Sequence, residues 1–265
     1  SVTTAMANKM AADTTPEEDL AAYRAFFTER FPSVEMSDFV NGVYALDETQ
    51  RANWEAIEEF PPYEPMIDDG EAMWNKPFAN GKTYASCFGD DPAIKGKYPH
   101  WDKERKEVIS LPLAINECRQ ANGEEPLKYK KGPIASLAYI AYQSRGQVTD
   151  VKVPMDDPDA VQAYNDGKTF YFARRGQLNF SCAHCHFESA GLKIRSEKLS
   201  PAVGHTTHWP VYRSKWGELG TLHRRFTGCN KQVRAKPFDA HGPEYRNLEY
   251  FLTHMPISCC HWADC

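Results

Sequence analysis

Cys182-Ala183-His184-Cys185-His186 is the stretch on which the reading of this chain turns. Its C-x-x-C-H spacing places two thiols where they can add to the two vinyl groups of one haem, while the next histidine reaches the iron. One covalently attached haem c is therefore expected, joined to Cys182 and Cys185, with His186 as an iron ligand. The competing use is a zinc site, which needs two more ligands at compact spacing. The nearest pair, His205 and His208, is spaced H-x-x-H and lies further along the chain. A thioredoxin-type redox pair is disfavoured, because the motif does not sit between a strand and the helix of an evident βαβ unit.

Working outward from the motif, the chain repeats itself. Setting Tyr98-Pro99-His100-Trp101 over Trp209-Pro210-Val211-Tyr212, an offset of 111, carries Cys118 onto Cys229 and Pro126 onto Pro237 without a gap. The same offset pairs Leu137 with Leu248 and Tyr139 with Tyr250. Upstream, Gly81, Ser86 and Cys87 fall on Gly176, Ser181 and Cys182 at an offset of 95, as expected if a loop changes length after the first cysteine. A period of about 110 residues is a domain's length, too long for a solenoid unit, so it reads as a tandem duplication.

The pattern within each half is helical. Ala160, Val161, Tyr164, Phe170 and Tyr171 recur every three to four residues and predict a helix over 159–174, frayed at Gly167. Apolar stripes over 133–143 and 244–254, each opened by Gly-Pro, predict an amphipathic helix closing each half. Thr15-Pro16-Glu17-Glu18 reads as an N-cap with proline at the first helical position, starting an N-terminal arm expected to serve packing. Period-two alternation is scarce, and Thr149 to Asp159, rich in proline and aspartate, is the natural linker. The fold class is thus mainly α: two tandem cytochrome c-like domains, 61–150 without haem and 151–265 with it, after an extension over 1–60.

Composition excludes several functions. Lys and Arg number 31 against 36 Asp and Glu, a net charge of -5, so no basic footprint for nucleic acid is present. No apolar run approaches the roughly 18 residues of a membrane span. Ser1 begins without a charged start and an apolar run, so a secretory signal is either absent or already removed. Covalent haem and disulfides both belong outside the cytoplasm, which predicts a bacterial periplasmic protein.

In the first half the counterpart of the haem motif is Cys87-Phe88-Gly89-Asp90, without the second cysteine or the histidine. Haem cannot attach there, and the two thiols that remain, Cys87 and Cys118, are expected to pair. Closing a loop of roughly 30 residues would stabilise by about 3 to 4 kcal/mol in the chain-entropy model.

One C-x-x-C-H in the second of two duplicated halves, the lone cysteine of Arg225-Phe226-Thr227-Gly228-Cys229-Asn230, and a haemless first half with paired cysteines together resemble the SoxA family, the catalytic subunits of SoxAX cytochromes, in its single-haem form. The likeness runs from about Trp74 to His254. It implies that Cys229 is the distal iron ligand, usually found as a persulfide, with Arg225 beside it. It further implies that thiosulfate is joined oxidatively to a cysteine of the carrier SoxYZ, with electrons passing through haem to the partner cytochrome SoxX. Cys229 and Arg225 would then be the catalytic residues.

Physical chemistry supports such a site independently. A thiolate on ferric iron stabilises the oxidised state, and a neighbouring guanidinium favours the thiolate. Arg224 and Arg225 offer donors to an oxyanion, and on a helix Arg225 and Cys229 share a face, while on a turn they could still converge. Residue type alone leaves other distal ligands open: Met255, which would make a plain electron carrier, or His205, His208 or His223. His208 is expected to line the haem crevice. A thiosulfate dehydrogenase forming tetrathionate is a further alternative. The tail, with Cys259, Cys260, His261 and Cys265, departs from the family pattern and has no assigned role.

Overall fold

The computed structural model describes residues 13–89, 94–143, 155–206 and 208–255. The tail cysteines, His261 and the linker residues 149–154 lie outside them. Among the described residues no helix is long and apolar enough to cross a membrane.

Helix α1 (Pro16–Arg30) starts at a full capping box: Thr15 accepts from the Glu18 backbone N–H, and the Glu18 carboxylate accepts from the Thr15 N–H. A 3-10 stretch (Met36–Ala45), α2 (Glu48–Glu58) and α3 (Glu64–Asn75) follow. The first half continues with a helical turn (Ala85–Phe88), the hairpin β1 (His100–Asp102) and β2 (Glu107–Ile109), then α4 (Leu111–Ala121) and α5 (Pro133–Gln143). The second half holds α6 (Pro158–Phe172), a π-helical turn at the haem motif (His184–Glu188) and the hairpin β3 (Lys193–Ile194) and β4 (Glu197–Lys198). It ends with β5 (Val211–Arg213), β6 (Glu218–Gly220), α7 (Leu222–Gln232) and α8 (Pro243–His254).

The internal repeat is visible in this order. β1, β2 and α4 begin and end 111 residues before β5, β6 and α7, and Pro99 and Pro210, each just ahead of its hairpin, are both cis. Each half has its own apolar core. Trp74, Tyr84, Ile115, Cys118, Ile134 and Leu137 build the first. Cys87 and Cys118 are joined there by a disulfide, tying the turn at Ala85–Phe88 to α4. Replacing both cysteines by alanine is expected to lower stability by about 2–5 kcal/mol in denaturant titrations under oxidising conditions. A loss under about 1 kcal/mol would show that the bridge constrains little.

Two findings depart from the sequence expectations. Helix α6 does not fray at Gly167: the helix runs through it, because the missing side chain is what lets α8 cross. A Cβ there would lie 2.0 Å from the Asn247 carbonyl oxygen. The arm, although it precedes the first half, packs into the core of the second. Tyr23, Phe26 and Phe27 of α1 are buried with Tyr164, Tyr171, Phe187 and Phe251, and Phe26 stacks on Phe187 at 4.0 Å between centroids. Asp19 of α1, fully buried, pairs with Lys168 of α6 at 2.8 Å and accepts from the Tyr164 hydroxyl at 2.8 Å.

Candidate functional site

The chain leaves α6 at Ala173 and reaches the haem motif, whose last three residues, His184 to His186, open the π-helical turn. Cys182 and Cys185 are free thiols, as is Cys229 on α7, and all three are half-buried. The three sulfurs form one group: Cys229 interacts electrostatically with both Cys182 and Cys185. Burial pushes the Cys182 thiol up to about 12, and Cys185 rises for the same reason. Residues 47 and 44 positions before Cys229 converge here because α7 packs on the second core through Leu222 and Phe226, with Cys229 half-buried at the edge of that face.

His186 is oriented for a metal. Its Nδ1 donates to the Ser200 carbonyl at 2.9 Å, which places the ring proton on Nδ1 and leaves the Nε2 lone pair available. Burial depresses His186 to about 4, so the imidazole is neutral at neutral pH, as a ligand must be. Sequence reasoning had no signal for Ser200, since its contribution is a backbone carbonyl. His205 lies on the same side, its ring 4.4 Å from that of His186, with Nε2 at 3.1 Å from Ser200 Oγ.

Buried polar groups short of hydrogen-bond partners gather near the same thiols. Arg175 Nε has none, the Tyr23 and Tyr171 hydroxyls have only each other, and all three groups interact electrostatically with Cys182. A macrocycle carrying carboxylate arms would meet this combination of apolar wall and unmatched donors. The residues present therefore fit a haem.

Arg225 and Cys229 both lie on α7, four residues apart and so on one face. The sequence left helix or turn open; Thr221, whose side chain caps the Arg224 N–H, starts the helix in time to include both. Arg225 is half-buried and makes no ion pair among the described residues, whereas Arg224 pairs with Glu218 at 3.1 Å and leans over Trp216. Of the two arginines singled out, only Arg225 is left for a ligand.

The histidine alternatives sort themselves by their partners. His223 is fully buried and engaged at both nitrogens: Nδ1 accepts from the His241 backbone N–H at 2.7 Å, and Nε2 faces Glu249 Oε2 at 2.7 Å. That fixes the ring proton on Nε2, donating to Glu249. Although His223, His241 and Glu249 are close enough to surround an ion, a metal on Nε2 would require the proton on Nδ1, where the backbone N–H already points. The cluster is instead a junction between the halves, because His241 Nδ1 also meets Ser110 Oγ of the first half at 2.7 Å. His208 is held by backbone groups of Val40 and Gly204, fastening the arm to the second half. Met255 is buried in the second core.

Comparison with known proteins agrees with this geometry. The chain is 66% identical over 242 residues to the L-cysteine S-thiosulfotransferase subunit SoxA of Allochromatium vinosum, covering 91% of this chain and 86% of that protein. The chain belongs to the SoxA family. The subunit of the same name from Chlorobaculum tepidum is 56% identical, over 90% of this chain and 83% of its own length. Among solved structures, SoxXA from P. pantotrophus superposes with a TM-score of 0.65 at 27% identity, covering 73% of this chain and 74% of that one. The family model for the SoxA/TsdA cytochrome c domain matches residues 69–149, the half that carries the disulfide and no C-x-x-C-H. A mainly helical SoxA chain with a cytochrome c domain implies haem c as its cofactor.

Proposed function

We infer that this chain is the thiosulfate-transferring subunit of a sulfur-oxidising system, joining thiosulfate to a cysteine thiol of a SoxYZ carrier protein, with SoxX as its partner cytochrome. The observation that carries the reading is the grouping of Cys229 with Cys182, Cys185 and the unpaired Arg225, all half-buried, on a chain whose curated relatives bear the thiosulfotransferase name. The repeated hairpin and helices support two tandem cytochrome c-like domains, 61–150 without haem and 151–265 with one, preceded by the 1–60 extension. Cys182 and Cys185 would hold the single haem covalently, with His186 and Cys229 as axial ligands. A bacterial periplasmic location follows from covalent haem together with the Cys87–Cys118 disulfide.

The residues divide the work. His186, its Nδ1–H anchored on Ser200, keeps a neutral nitrogen directed into the site. Arg225 orients the sulfonate of thiosulfate by charge-assisted hydrogen bonds and favours the thiolate of Cys229 one helical turn away. The terminal sulfur of thiosulfate bonds to the Cys229 sulfur, with loss of two electrons. The carrier thiolate then attacks that terminal sulfur, the bond to Cys229 breaks, and the carrier leaves with an S-thiosulfonate. The haem, when bound, would relay the two electrons one at a time to the partner cytochrome and place a positive centre beside the sulfur. The half-buried position of Cys229 suits attack by a thiol from outside.

Two measurements test this reading. EPR of the ferric protein is expected to show low-spin haem with thiolate ligation; a thioether or a second nitrogen would reduce the chain to an electron carrier. Mass spectrometry of the carrier is expected to show the thiosulfonate adduct. Tetrathionate formed equally well without the carrier would identify a thiosulfate dehydrogenase instead.

A further inference from the structure

Arg213 closes β5 and belongs to none of the motifs above, yet its surroundings bring it to the sulfur site. It lies within electrostatic range of both Cys229 and Arg225. Its guanidinium is held in place: it pairs with Glu197 of β4 at 3.3 Å and lies over the Trp216 ring at 5.2 Å. The same ring supports Arg224 from 4.3 Å, so one indole splints the hairpin to α7. Arg224 is committed to Glu218, whereas Arg225 has no carboxylate among the described residues. Two half-buried guanidiniums thus come within electrostatic range of each other, and between them they make one ion pair among the described residues, to Glu197, whose side chain is 49% exposed; Glu218, across the hairpin from Arg213, pairs with Arg224. Like charges so arranged repel, and an anion between them relieves the repulsion.

The duplication supplies an internal control. At the offset of 111, Arg213 corresponds to Asp102 and Arg225 to Ala114. Asp102 serves its hairpin, accepting from the backbone N–H groups of Glu104 and Arg105. The same hairpin and helix therefore form in the first half without either cation. The fold does not require Arg213 or Arg225; the half with the three free thiols has both.

We propose that Arg213 is the second guanidinium of the thiosulfate site, holding the sulfonate from β5 while Arg225 holds it from α7. The assignment rests on the reading of Cys229 as the acceptor of thiosulfate. Two forked donors suit a dianion whose oxygens cluster at one end, and they leave the terminal sulfur directed at Cys229. Glu197 is the positioning residue that, with Trp216, keeps Arg213 from swinging into solvent.

The test uses the full haem-loaded protein with its partner cytochrome. Arg213→Gln is expected to raise KM for thiosulfate roughly ten- to a hundredfold, the usual cost of losing a charged hydrogen bond, with a much smaller change in kcat. Equilibrium dialysis with radiolabelled thiosulfate, in the absence of carrier, should weaken by the same factor. Arg213→Lys should recover part of the loss, and the haem spectrum and melting temperature should stay at their wild-type values. Wild-type KM and wild-type dialysis affinity in Arg213→Gln would overturn the proposal. So would weaker binding accompanied by a changed haem spectrum and a lowered melting temperature, or a rise in KM confined to the carrier. Cys229→Ala measured alongside separates the two readings. If it still transfers thiosulfate, the functional reading has failed; if it is inactive while Arg213→Gln binds normally, only the role of Arg213 has failed.

Discussion

Cys229→Ala is expected to abolish conjugation of thiosulfate to the carrier, a drop of more than about a thousandfold, as is usual when the covalent nucleophile is removed. Among the described residues the free thiols are Cys182, Cys185 and Cys229, and the first two belong to the haem-attachment motif. Among the described residues no further free thiol is present to substitute. The alanine is nearly silent for folding, since Cys229 is only half-buried and the helix keeps its buried residues, Phe226, Thr227 and Asn230 among them. Carrier adducts counted by mass spectrometry, with haem content measured in parallel, decide the matter. Undiminished turnover would reject Cys229 as the covalent station.

Lys168→Met is expected to destabilise the second half by about 3–5 kcal/mol, the range seen when one member of a buried ion pair is removed and the other is left behind. The Lys168 and Asp19 side chains are only 6% and 1% exposed, and Asp19 would keep hydroxyl donors from Tyr164 and Thr14 but no cation. Because this pair fastens α1 to α6, the arm should also become sensitive to protease before the rest of the chain unfolds. Combining the change with Asp19→Asn should cost less than the sum of the two single changes. Additive losses in thermal melts, or a single loss below about 1 kcal/mol, would show that the pair is in effect solvated.

Much of this architecture was legible without coordinates because it depends on local rules. Helix α1 starts where Thr15, Pro16 and Glu18 supply a cap, a preset φ and a reciprocal hydrogen bond within four residues. Helices α5 and α8 begin at Gly-Pro and keep their apolar stripes. The offset of 111 carries a hairpin and a helix from one half to the other without a gap, so the recurrence of these elements could be counted in the sequence. Gly167 shows the limit of such rules. Taken alone, a mid-helix glycine signals fraying; the presence of Asn247 2.0 Å from where its Cβ would be makes it the crossing point of two helices.

What the amino-acid order determined by itself is therefore the chemistry carried by spacing: two thiols and a histidine in five residues, a cysteine one helical turn after an arginine, and a first half without a C-x-x-C-H. Covalent distance along the chain sets these relations, so they hold in any fold that forms the local helices. The destination of the arm, the closing of both His223 nitrogens, the Ser200 carbonyl behind His186 and the approach of Arg213 to within electrostatic range of Cys229 were decided only by tertiary structure. Each joins residues of different elements, most of them far apart in the chain, and such meetings are selected by which apolar faces bury together, a global outcome that no short stretch encodes.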